Sequence, residues 1–148
     1  MTIRLSDLAG RPILDVSTAK TIGTVGYGIV DPTRNVLAAL HLAKSSGSGP
    51  ILPWESIKAI GPDALTIDSV ELTRPPIGHA EQRAVDGPLD PIGRRILTER
   101  GTLLGTVVDL AVDEISGSIE QVITDTRSLE GGAISGIGGY ALIVTDPA

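Results

Sequence analysis

Two histidines, a Ser-x-x-Lys pair, two glycine-rich stretches and a group of carboxylates are the residues on which chemistry could rest. His41 sits in an apolar stretch and His79 in a proline-rich one, and the chain has no cysteine. Structural zinc sites draw on Cys and His at short spacing, so these two read as a strand-edge histidine and a solvated loop histidine. Ser17-Thr18-Ala19-Lys20 matches a serine acylase pair. That pair must open a helix and needs Ser-Asp-Asn and Lys-Thr-Gly partners; here it falls in a turn and the partners are missing. Gly131 to Gly139 leads into neither Gly-Lys-Ser/Thr nor a helix start, and Gly26-Tyr27-Gly28 has Asp31 where a dinucleotide fingerprint needs its third glycine.

The carboxylates are Asp109, Asp113, Glu114, Glu120 and Asp125. The two-residue period of a strand puts Asp109 and Asp113 on one face, and Asp125 returns on the following strand. Oxygen-rich clusters hold Ca²⁺ or Mg²⁺, but no calcium-loop pattern is present. The reading retained is a solvated acidic face, with a divalent site at Asp109, Asp113 and Asp125 as its alternative. No catalytic set and no cofactor are expected. The only tryptophan, Trp54, follows Pro53. It reads either as a plug in the end of a small barrel or as an exposed anchor for a partner, since tryptophan is enriched at binding hot spots.

The elements that must position these residues are short. Hydrophobic residues make up 41% of the 148 and charged residues 20%, which excludes a disordered chain. Apolar runs such as Val36–Leu40 fall far short of the roughly 18 residues that span a bilayer. No signal peptide is read after Met1, so a cytoplasmic location is expected. Gly, Pro, Val, Ile and Thr point to many short strands and turns. Expected strands are Pro12–Val16, Thr21–Val30, Val36–Leu42, Pro50–Pro53 and Ala64–Ser69, then Arg95–Thr98, Leu104–Val112, Ile119–Thr126, Ala133–Gly136 and Tyr140–Thr145. A single helical turn is expected at Pro53–Ile57, before a return strand.

Four stretches recur in the same order. Gly10-Arg11-Pro12-Ile13-Leu14 resembles Gly93-Arg94-Arg95-Ile96-Leu97, and Ile22-Gly23-Thr24-Val25 resembles Leu104-Gly105-Thr106-Val107. Asp31 and Asp113 follow at matching distances, and Ile60 to Ile67 resembles Ile137 to Val144. The order points to a duplicated fold: residues 1–72, a Pro/Gly-rich linker over 73–91 with at most one helical turn near His79–Ala84, and residues 92–148.

A Gly-Arg opening strand, a hydrophobic-Gly-Thr-Val strand ending in Asp, a Leu-Pro segment at Ile51–Ile57 and an Ile-Gly-x-x-Ala-Leu-x-Ile hairpin together resemble the PRC-barrel domain. The second copy lacks the Leu-Pro-Trp-Glu segment and has Leu129-Glu130-Gly131-Gly132-Ala133 instead. The resemblance implies an all-β protein of two small barrels in tandem and no shared catalytic motif. Members such as the cytoplasmic domain of the reaction-centre H subunit and the C-terminal domain of the ribosome maturation factor bind other proteins.

Charge sharpens the expected partner. The net charge is -6; residues 1–74 hold seven Lys/Arg and seven Asp/Glu, residues 75–148 five and eleven. Without a basic stripe, direct nucleic-acid binding is not expected. The expected function is a non-enzymatic adaptor that docks a basic protein through Asp113, Glu114 and Glu120, with Trp54 as a further contact. The same acid could serve solubility alone. A small-ligand or ion-binding barrel is the alternative, and a ribosome-linked factor acting through a ribosomal protein the third reading. A homodimer is expected, since barrels this small are marginal alone.

Overall fold

Asp-Pro-Thr-Arg-Asn and Asp-Glu-Ile-Ser-Gly each reverse the chain between two long β-branched strands, and these two hairpins organise the molecule. In the computed structural model, which describes residues 1–87 and 89–145, the elements run β1 (Thr2–Arg4), α1 (Leu5–Leu8), β2 (Pro12–Asp15), β3 (Lys20–Asp31), β4 (Val36–Ser45) and β5 (Ile51–Pro53). A 3-10 turn at Trp54–Ser56 leads to β6 (Ile57–Ile60) and β7 (Leu65–Ile67), and a second at Val70–Leu72 precedes α2 (Gly78–Asp86). The remainder is β8 (Arg95–Thr98), β9 (Leu103–Asp113), β10 (Ile119–Thr124), β11 (Ser128–Glu130), a 3-10 turn at Gly131–Ala133, β12 (Ile134–Ile137) and β13 (Ala141–Val144). Strand covers 51% and helix 15%, so the protein is all-β, of two small barrel-like sheets.

The sheet orders are β5-β4-β3-β2-β7-β6 and β11-β10-β9-β8-β13-β12. In both, the first short strand pairs in parallel with the last, β2 with β7 and β8 with β13. Local bonds match as well. Arg11 Nη1 donates to the Gly61 carbonyl at 2.7 Å and Arg94 Nη1 to that of Gly138 at 3.0 Å. Asp15 accepts from the amides of Ser17 and Thr18, and the Thr98 hydroxyl accepts from those of Arg100 and Thr102, each closing the first hairpin. Strand β3 needs its glycines. The ladder to β4 passes over Gly26 between Val25 and Tyr27, and a Cβ at Gly26 would lie 2.8 Å from the His41 carbonyl. The strand bends there as a bulge.

One apolar core runs through both sheets, from Leu5, Leu40 and Leu65 to Leu110, Val122 and Leu142. Two features tie the halves. First, β1 pairs antiparallel with β9 (Ile3 with Val112), so the N-terminal strand completes the C-terminal sheet. Second, the two hairpin turns meet. Val36 bridges Ser118, the Leu37 amide donates to the Gly117 carbonyl at 2.8 Å, and the Ile119 amide donates to the Asn35 carbonyl at 2.9 Å.

The proline-rich segment is more structured than its composition suggests. Helix α2 spans nine residues where one turn was expected, and it carries His79. Its Ala84 is buried against Ile29, Ala39 and Ile51. The helix is held by the Tyr27 hydroxyl, which donates to the Ala84 carbonyl at 2.7 Å, and by a paired Arg74–Glu81 contact of 2.6 Å. Each bond to Glu81 holds its carboxyl below the usual range, the Arg74 guanidinium foremost.

Candidate functional site

Trp54 opens the 3-10 turn between β5 and β6, where Pro53 ends the strand by withholding an amide. The residue is 5% exposed, seated as a plug rather than standing out from the surface. The Asp113–Gly117 turn closes over the indole because Gly117 has no side chain; a Cβ there would lie 3.0 Å from the ring. The indole N–H has no acceptor and is the buried side-chain polar atom without a partner among the described residues. Such an omission costs roughly 1–3 kcal/mol, so packing alone seats the ring.

The carboxylates do not gather. Asp109 is buried and accepts from the Ser6 amide at 2.9 Å and from the Ser6 hydroxyl, which fastens α1 to β9. Asp113 accepts from the amides of Ile115 and Ser116, both at 2.9 Å. Those bonds, Ser116 first, hold its carboxyl below the usual range. Asp125 accepts from the Thr106 amide at 3.2 Å, and exposed Glu120 accepts from the Thr2 hydroxyl. No group of three ligating side chains forms among the described residues. Asp109, Asp113 and Asp125, the alternative divalent site, do not converge; each is hydrogen-bonded to a different stretch of backbone.

His41 is also placed differently from its reading. It lies inside the sheet, opposite Tyr27 on one side and Ile51 on the other, not at an edge. Its ring stacks on Tyr27 at 4.6 Å, and burial pushes its pKa below the ordinary value.

What does come together is a groove of about 440 Å³ between the halves, lined by Trp54, Glu55, Ile57, Lys58, Ile60 and, from the opposite turn, Glu114 and Ile115, with Ala59 beside them. Trp54 and Glu114 thus share one site, with Asp113 adjoining it in sequence, while Glu120 lies outside its lining. Ile115 is 83% exposed. Lys58 also lines the groove and pairs at 3.0 Å with exposed Asp68, so the net negative charge of the lining comes from Glu55 and Glu114. Sequence reasoning did not bring β6 to this site; the repeat of Ile57 and Ile60 beside a tryptophan was the available signal. Among the described residues no helix is long and apolar enough to cross a membrane.

The sequence matches no known family model, and no curated protein matches it.

Proposed function

We propose that the chain is a non-enzymatic adaptor of the PRC-barrel type, duplicated in tandem, acting in the cytoplasm, and that its acidic junction face docks a basic protein. The observation that carries this is the groove itself: Trp54, Ile57 and Ile60 line it beside an uncovered Ile115, with Glu55 and Glu114 among the same residues. Exposed apolar side chains beside charged ones occur in protein-binding patches, and the charge selects partners and speeds encounter. Tandem barrels welded through one core would hold that patch rigid. Affinity capture with the wild type and with a variant carrying Asp113→Lys, Glu114→Lys and Glu120→Lys tests the reading. Partners should be lost while a cooperative melt remains, lowered by the turn bonds that Asp113 gives up; partners recovered undiminished at low salt, where screening is weakest, would leave the acid as a solubility device. Light scattering at tens of micromolar reads the assembly: a homodimer is expected, and a monomer would mean that the pairing of the two turns within one chain takes its place.

A further inference from the structure

We infer that the groove beside Trp54 takes an extended basic segment of a protein partner, added as a further strand on the free edge of β6. The inference rests on the protein-binding reading above and adds the conformation and the seat of what binds.

Strand β6 ends its sheet; among the described residues it pairs only with β7. Ile57 and Ile60 pack against the core, while Lys58 and Ala59 are exposed. All four nonetheless line the groove. A cavity that meets both the inward and the outward residues of a strand runs along its edge, where unpaired N–H and C=O groups lie. Four residues present about 13 Å of that edge. Apart from β7, no described backbone group bonds to Lys58, Ala59 or Ile60. An extended peptide laid there gains main-chain hydrogen bonds, and pockets for alternate side chains give it specificity.

Elsewhere the chain covers such edges with short extended pieces of itself. On β5, Ile51 exchanges two backbone bonds with Arg74, at 3.0 and 2.9 Å. On β9, Thr2-Ile3-Arg4 adds as β1. The edge of β6 has no such piece among the described residues. Strand β12, which ends the other sheet, lends only Ile137 to the cavity beside it. Lys58 falls at a bulge in the register with β7, and bulges and lysines both discourage indiscriminate edge pairing. A partner strand must therefore gain from its side chains as well. Trp54 and exposed Ile115 offer contact to apolar residues at alternate positions, and Glu55 and Glu114 attract Lys or Arg. A second copy would bring the same two carboxylates to the groove and meet like charge.

The probe is a capped octapeptide alternating valine and lysine, titrated into the intact protein. Trp54 is the only tryptophan and lines the groove, so its emission is the first readout. A saturable change is expected, weakened by added salt and by about fivefold with Glu114→Lys. Ile115→Ser should weaken it too; melting curves verify that both variants fold. An octapeptide alternating valine and glutamate should give no change. Hydrogen exchange is the second readout, and the Lys58–Ile60 stretch should exchange more slowly once the lysine peptide is bound. Two further lysine peptides carry N-methyl groups, one on its valines and one on its lysines. The one whose blocked N–H groups face β6 should bind about fivefold more weakly. Absence of any saturable change overturns the proposal. Equal binding of all three lysine peptides, or unaltered exchange at Lys58–Ile60, overturns the added strand. Binding indifferent to both Glu114→Lys and Ile115→Ser places the peptide elsewhere and overturns the seat. Exchange at Lys58–Ile60 that slows with protein concentration alone would assign the edge to a second copy and overturn the proposal as well. The adaptor reading fails separately, if captured partners survive the triple charge reversal.

Discussion

The two sides of the junction are made of the same parts with their sizes exchanged. On one side the bulky Trp54 begins the 3-10 turn and the opposing hairpin turn presents Gly117. On the other the 3-10 turn begins with Gly131, and the opposing turn presents Asn35. Both neighbours of the Asn35 amide are carbonyls, so its nitrogen faces them, donating to Gly131 at 2.9 Å and to Ile134 at 3.1 Å. One side is closed by an apolar plug whose N–H is unpaired, the other by a hydrogen-bonded amide. Close packing tolerates neither two large residues nor two small ones across such a contact, so each side constrains its own pair.

Breaking the plugged side should cost most. Trp54→Ala is expected to destabilise by about 3–5 kcal/mol in urea unfolding; a loss under 1 kcal/mol would mean the ring is not the keystone described. Next comes the tight side. A Cβ at Gly131 would collide with the Ile119 carbonyl, a backbone atom that cannot step aside, whereas one at Gly132 meets nothing within 4 Å. Gly131→Ala should therefore cost about 1–3 kcal/mol and Gly132→Ala close to none, although the two glycines are adjacent. Asn35 has φ +56°. Asn35→Gly keeps that backbone within easy reach and removes the amide bonds alone, for a loss of about 1 kcal/mol.

The smallest effect separates the halves by pH. His41 faces Tyr27 across β3–β4, where the matching pair across β9–β10 is Ile123 and Asp109. Burial lowers the folded-state pKa of His41, so the unfolded chain takes up its proton first as pH falls. This contribution to stability is whole above the unfolded value near about 6.5 and is lost as pH drops through the lower folded value. Denaturation midpoints at neutral and mildly acidic pH should diverge less in His41→Gln; equal divergence would locate the dependence in another group.

Strands were legible in the chain because turn chemistry brackets them: Asp31-Pro32 and Ser116-Gly117 fix hairpins wherever the sheet goes. The 3-10 turn at Trp54 was readable for the same reason. Not expected were α1, β6, β11 and the 3-10 turns at Val70–Leu72 and Gly131–Ala133, and three further features escaped as well. Strand β1 is three residues long, with one inward side chain, Ile3, and its partner lies in the other half of the sequence. Helix α2 shows its inner face chiefly through Ala84, too small a residue to mark an apolar stripe. The groove depends on which turn faces which 3-10 segment, a relation between halves that no local pattern encodes. Strand periodicity placed the acidic residues on a face but could not show the backbone amides waiting there, such as that of Ser6 for Asp109.

The pairing of β1 with β9 has a consequence for how the protein is made. Thr2 is synthesised more than a hundred residues before its partner Asp113. At the usual pace of translation that is a delay of roughly 5–20 s. For that interval the N-terminal strand has no edge to join, and the amphipathic turn behind it has no Asp109 to fasten it. Pairing of β1 must therefore follow the synthesis of β9. A ribosome stalled just short of β9 would display a nascent chain with a finished N-terminal sheet and a free N-terminal strand.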